Sequence, residues 1–384
     1  LSILMLLVAI PLVTTSCVAV LPTLFPAATG TGIKVAIIDT GIDLDHPDLD
    51  ANVAGGTAIG VHVCDPTAIP GDEGGDPCEV PWEDDMDHGT FVAGIVGAEK
   101  GNQADNLPYN KDNKIGVAPE VNLYAVKVFS YFAPTWTSDI IAAIDWAVAN
   151  GMDVINMSLG IYPDARECLP PPAPGHGSAA ECEALLAPIY GPGVGTAWFA
   201  TLEALQDAID AAVAAGIVVV AAAGNDAVEL GPFPHVTGTC NAWLLATWGY
   251  TSTKGCFNSP ASHAGVIAVA ATHMSDGRAI FTNFGTDIDI TAPGDEVIST
   301  DVPEIDYQSR FHDDGSGTSF SSPYVAGVAA LLKSIGYVDP AAIEAQLEAT
   351  ADAGVVYDTF RTAVVPEPLL DAEEAVLGTE EGDN

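Results

Sequence analysis

The stretch IKVAIIDTGID, residues 33–43, is an apolar run that ends on a carboxylate. Residues 33–38 read as a strand buried on both faces, which delivers Asp39 from its C-terminal end. Similar runs return at 121–128 (VNLYAVKV), 152–158 (MDVINMS), 217–223 (IVVVAAA) and 265–271 (GVIAVAA). Between them the apolar period changes from that of a strand to that of a helix. Ile140, Ile141, Ile144 and Val148 fall at helical spacing within 138–150, with Ser138 as N-cap and Gly151 as stop. Leu202, Leu205, Ile209 and Val213 mark a second helix, closed by Gly216. Further helical runs follow Ser319 through Leu332 and cover 340–350.

Strands that alternate with amphipathic helices predict an α/β fold: a doubly wound, mainly parallel central sheet with helices on both faces. Ligand sites in such sheets gather at the carboxyl ends of the strands. Asp39, Ser158 and Asn225 all fall at or just past such ends. Three long loops, about 43–86, 160–200 and 226–264, interrupt the pattern. No repeat and no second-domain linker is visible. The expected organisation is a leader over 1–17, signal-peptide-like or truncated, then a single domain over 18–378 and an acidic tail over 379–384.

The chain has 384 residues, 48 % of them apolar, enough for one large core. Its 52 acidic residues against 11 basic ones leave a formal charge of −41. Such a surface repels phosphate backbones and anionic lipid heads, so no nucleic-acid partner is expected. Charged residues make up only 16 %, so the imbalance comes mainly from missing Lys and Arg. A salt-rich habitat, cation binding or plain solubility would each produce it.

Six of the seven cysteines form local couples: Cys64 with Cys78, Cys168 with Cys182, and Cys240 with Cys256, spaced 14, 14 and 16 residues apart. Each couple lies in one of the long loops. Three loop-closing disulfides are expected, each stabilising by about 3 kcal/mol, which implies an oxidising, extracellular or cell-surface location. No CxxC or CxxH spacing suggests zinc. Cys17 is left over. It follows the apolar stretch of residues 1–13, whose length suits a signal-peptide core and is short for a membrane span. A lipid on Cys17 is the only membrane attachment the sequence suggests.

Three segments carry chemistry: Asp39-Thr40-Gly41-Ile42-Asp43, Asp87-His88-Gly89-Thr90, and Gly317-Thr318-Ser319-Phe320-Ser321-Ser322-Pro323. A serine hydroxyl is a poor nucleophile until a base takes its proton. A neutral histidine is that base near neutral pH, and a carboxylate behind the ring fixes its tautomer. Ser319 and His88 each precede an apolar helical run, where free amides and the helix dipole favour a developing oxyanion. Taken singly, these residues have plainer roles as caps, turns or core groups. Seven histidines other than His88, among them His46, His62 and His263, read as such.

The order Asp, His, Ser with DTGID, HGT and GTSxSSP resembles the subtilisin-like serine proteases, from about Ile33 to Leu377. The resemblance implies a serine endopeptidase acting on polypeptides, with a triad of Asp39, His88 and Ser319. Asn225, in Ala222-Ala223-Gly224-Asn225, would donate its amide to the oxyanion. In this family loss of that donor costs on the order of 10²–10³ in turnover. Ser158, Leu159 and Gly160 resemble the strip that pairs with the substrate backbone and walls the pocket for the residue before the cut, and Gly224 is a further substrate-binding candidate. No cofactor is required for such chemistry. A structural calcium is an open alternative: eight of sixteen residues between Asp72 and Asp87 are acidic, and Asp48 resembles a family ligand position. A solvated acidic loop is the equal alternative. The protein is expected to be a monomer.

The chain departs from the family pattern at three places. Asp87 stands where Gly is usual, and either raises the pKa of His88 or binds a cation. Phe91 replaces a second histidine. Phe320 replaces a methionine common beside the nucleophile, which removes an oxidisable thioether. The family's folding propeptide would not fit upstream, so a truncated or misassigned start is expected. The rival to a hydrolase is a catalytically silent, secreted scaffold that binds peptides or cations.

Overall fold

The computed structural model describes residues 28–60, 80–100, 115–130, 135–160, 187, 192–227, 229–230, 258–273, 275–302, 312–355 and 367–377. All seven cysteines lie outside these residues, as do residues 72–79 of the acidic loop and the expected leader and tail.

The buried run after Ile33 forms strand β1, Lys34–Asp39. Five further strands of the central sheet are β2 (Val53–Ala58), β3 (Asn122–Lys127), β4 (Val154–Met157), β5 (Val218–Ala222) and β7 (Val266–Thr272). A two-residue strand, β6 (Glu229–Leu230), pairs with β8 (Phe284–Gly285). Strands β9 (Ile290–Pro293), β12 (Asp352–Val355) and β13 (Glu367–Leu369) complete the sheet, and β10 (Val297–Thr300) pairs with β11 (His312–Gly315) as a ribbon. The nine-stranded order is β12-β13-β9-β7-β5-β4-β1-β3-β2. Every neighbouring pair runs parallel except β12 with β13. The order reverses between β1 and β4, the kind of switch point where open α/β sheets place their sites.

The helices are α1 (His88–Gly97), α2 (Thr137–Ala149), α3 (Val194–Ala214), α4 (Thr318–Ser334), α5 (Pro340–Ala349) and α6 (Ala372–Leu377). Alternate strand residues divide between two cores, as the period of two requires. Val35, Ile37, Val154, Val218 and Val220 belong to the core that holds Val325, Ala326 and Ala329 of α4. Ala36, Ile38, Ile155, Val219 and Ala221 face Ile140 and Ile144 of α2 and Leu205 and Ile209 of α3. Each fully buried branched side chain contributes about 1.5–3 kcal/mol, so burial on both faces holds the strand ends in place.

Two expected loops contain strands: 226–264 holds the short β6, and 43–86 holds β2. The sequence of β2, VAGGTA, has two glycines and a partly exposed burial pattern. Its pairing with β3 comes from the sheet edge, not from local propensity.

Candidate active site

Asp39 is the last residue of β1 and almost fully buried. Its Oδ1 accepts a hydrogen bond from His88 Nδ1 at 2.7 Å and another from the Thr40 amide at 2.7 Å. His88 opens α1, with its side chain about one-third exposed (32 %). The segment before it is fastened by Asp84. That carboxylate accepts from the Thr90 amide at 2.8 Å and the Thr90 hydroxyl at 2.6 Å, and from the amides of Met86 and Asp87. Asp84 thus satisfies donors in the first turn of a helix, the task of a capping carboxylate. Gly89 lets α1 approach β1: a Cβ there would stand 2.1 Å from the Gly41 carbonyl.

Desolvation by itself would push the His88 ring down. The charge and hydrogen bond of Asp39, with Asp84 and Asp87 nearby, outweigh it and raise the pKa from 6.5 to about 8. Of the two roles open to Asp87, the first has this electrostatic support.

Ser319 is the second residue of α4 and half-buried. Its hydroxyl donates to the Ser158 carbonyl at 3.1 Å, and the Ser158 hydroxyl donates to the Ser319 carbonyl at 2.6 Å. Ser158 Oγ also accepts from Asn156 Nδ2 at 2.9 Å and lies 3.0 Å from Ser322 Oγ. The next residue, Phe320, brings α4 to α1: its ring centroid lies 5.6 Å from that of His88 and 4.4 Å from that of Phe91. The carboxylate and imidazole are therefore directly bonded. The hydroxyl reaches the same corner of the fold but is engaged with Ser158 rather than with the ring.

Asn225 follows β5 and Gly224, with its side chain toward solvent. Its Oδ1 accepts from both the amide and the hydroxyl of Thr318, each at 2.9 Å. The Thr318 hydroxyl in turn accepts from the Gly224 amide at 3.0 Å. With the carbonyl end committed, Nδ2 is the group left for a ligand, beside the first turn of the Ser319 helix. Leu159 is buried and Gly160 half-buried, just past β4.

Asp48 is also buried, far along the loop from β1. Its amide donates to His46 Nδ1 and its carbonyl accepts from the Glu99 amide. Among the described residues, the one group of three carboxylates with oxygens within 4.8 Å of one another is Asp289, Glu344 and Glu348, not a group around Asp48. Sequence reading passed over Asp84, Thr318 as the anchor of Asn225, and Lys127, which is buried in an ion pair with Asp85. A signal existed for Asp84 alone: an acid four residues before the first histidine of an apolar helical run.

A family model described as "Subtilase family" matches residues 30–370. Subtilisin NAT from Bacillus subtilis subsp. natto is 35 % identical over 306 residues, which cover 80 % of this chain and 56 % of that protein. The subtilisin of Bacillus pumilus is 35 % identical over 306 residues, covering 80 % of this chain and 78 % of its own. The chain thus matches little more than half the length of the first relative. A crystal structure of a cold adapted subtilisin-like serine proteinase is similar with a TM-score of 0.55 and 25 % identity, covering 90 % of each chain.

Proposed function

We propose, from the premise that this chain belongs to the subtilase family, that it is a serine endopeptidase with Ser319 as nucleophile. The observation that carries the reading is the 2.7 Å bond between His88 and buried Asp39, formed beside the helix turn that bears Ser319.

In the proposed reaction the Ser319 hydroxyl leaves Ser158 and gives its proton to His88 Nε2. Its oxygen attacks the scissile carbonyl. The Asp39 carboxylate holds the Nδ1 proton and stabilises the imidazolium that forms. The negative charge on the former carbonyl oxygen meets Asn225 Nδ2 and the Ser319 amide, donors placed before the charge develops. His88 then returns the proton to the leaving amine, and the C–N bond breaks to give an acyl-enzyme. Water repeats the sequence: His88 takes its proton, hydroxide character attacks the ester, and Ser319 is released with the carboxylic acid. Ser158, Leu159, Gly160 and Gly224 offer main-chain groups to an extended peptide.

All these steps use the chain's own groups. A calcium held at Asp48 would be structural and would take no part in these steps. A location outside the cell rests on the cysteine spacing and the leader-like start, which lie outside the described residues. Among the described residues no helix is long and apolar enough to cross a membrane.

A fluorophosphonate probe tests the reading. Labelling at Ser319 that Ser319→Ala abolishes, together with fragments from an unstructured protein that the same variant fails to produce, supports an endopeptidase. An unlabelled, inert wild type favours the silent scaffold.

A further inference from the structure

One cation near the site has no part in the chemistry above. Lys127 ends β3 with its side chain fully buried. A buried ammonium is costly unless it is both paired and hydrogen-bonded. Here Nζ donates to the Thr40 carbonyl and to Asp85 Oδ1, the latter at 2.5 Å. Asp85 Oδ2 takes a further hydrogen bond from Ser130 Oγ at 2.9 Å. Thr40 follows Asp39 directly, and Lys127 is the register partner of Asp39 across β1 and β3. Asp85 lies three residues before His88. A single side chain therefore joins the end of the strand that carries Asp39 to the segment that enters the His88 helix.

We infer that Lys127 and Asp85 are positioning residues for the Asp39–His88 couple: the pair fastens their two elements together and balances charge behind the ring. The inference rests on the reading of Asp39, His88 and Ser319 as a protease triad. Charge reaches His88 from several elements: Asp39 from β1, and Asp84 and Asp87 from the segment before α1. From α4 comes the uncharged Phe320, and the first turn of that helix holds no acid. From β10 come Ser299 and Thr300, whose hydroxyls donate to the carbonyls of Phe91 and Thr90. Among the described residues, Lys127 is the only cation hydrogen-bonded into this carboxylate-rich corner.

The experiment measures the rate of fluorophosphonate labelling at Ser319 against pH. It compares wild type, Asp85→Asn, Lys127→Met and the double variant, each as the full chain. Labelling requires a neutral imidazole, so its midpoint follows the ring. Lys127→Met leaves Asp85 unbalanced and is expected to raise the midpoint by about half a unit; Asp85→Asn leaves Lys127 unbalanced and is expected to lower it by about as much. The double variant is expected to return toward wild type. A merely structural pair would slow labelling in both single variants without opposite shifts, and that result overturns the inference. If Lys127→Met does not fold, the other two decide: a midpoint that stays put in Asp85→Asn, or a fall that the double variant fails to reverse, overturns it. Absence of labelling in wild type would instead overturn the triad reading, so the two failures are distinguishable.

Discussion

Ser158 and Ser319 hold each other by reciprocal hydrogen bonds. The Ser158 hydroxyl donates to the Ser319 carbonyl at 2.6 Å, and the Ser319 hydroxyl donates to the Ser158 carbonyl at 3.1 Å. Pro323 explains why. It lies inside α4, four residues after Ser319, and has no N–H to offer the carbonyl one turn back. The Ser319 carbonyl therefore takes its donor from another element, and the first turn of α4 is tied to the end of β4.

Ser158→Ala is expected to leave the Ser319 carbonyl without that donor. The loss of one part-buried hydrogen bond should destabilise the fold by about 1–3 kcal/mol and lower kcat more than it raises KM. Adding Pro323→Ala restores an N–H at the right helical position and should recover part of both losses. Thermal melting and steady-state kinetics of the two variants check this. No recovery in the double variant would show that the proline is not the reason for the contact.

The raised pKa of His88 fixes the sign of the acid limb. The ring must be neutral to take a proton, so kcat/KM should rise with pH to a half-maximum near 8. The stability consequence runs the other way. The folded-state value lies above the unfolded one, so this contribution is fully present below 6.5 and is lost as pH rises through about 8. Asp87→Gly removes one of the charges that raise the ring and should move the midpoint down. It should also relieve the positive φ of 73° that Asp87 adopts at the start of α1, with a gain of about 1 kcal/mol. A midpoint unchanged by the substitution would count against an electrostatic role of Asp87 on the ring.

The strands that frame the site were legible because each is an apolar run buried wholly or for the most part on both faces. The runs read at 33–38, 121–128, 152–158, 217–223 and 265–271 all appear as strands of the central sheet. The glycine-rich β2 was not legible, since its pairing depends on an edge that only the folded sheet supplies. Asp39, His88 and Ser319, the proposed triad, stood out through their motifs. What linear order did not show is how they are held: Asp84 against Thr90, Thr318 against Asn225, and Lys127 against Asp85 join residues whose proximity depends on three-dimensional packing. The plain reading of His263 agrees with its buried, hydrogen-bonded place near the start of β7.

Phe320 predicts resistance to peroxide. Its ring occupies the space beside His88, at 5.6 Å between centroids, where a methionine would carry an oxidisable thioether next to Ser319, the proposed nucleophile. Wild-type activity should survive a peroxide exposure that inactivates Phe320→Met. Mass spectrometry of the treated variant should find the sulfoxide at position 320. Equal rates of inactivation for the two proteins would place the sensitive group elsewhere.

Acid should weaken the fold through His263. The ring lies between Ser259 Oγ at 2.9 Å and Gln206 Oε1 at 3.2 Å, and so links α3 to the segment before β7. The Gln206 carbonyl oxygen only accepts, so Nδ1 carries the proton and Nε2 takes the Ser259 hydroxyl. Desolvation lowers the pKa from 6.5 to about 3. The fold therefore holds the neutral ring, and its contribution is complete above 6.5 and falls away as pH drops toward 3. Asp289 and Glu367, each raised by desolvation to about 7, have the opposite sign: their protonation favours the fold as pH falls. A comparison of wild type with His263→Gln isolates the histidine from these carboxyls. The difference in Tm should be largest above pH 7 and shrink steadily as the pH is lowered to 4. Melting curves that stay parallel over that range would mean that His263 accepts its proton inside the fold.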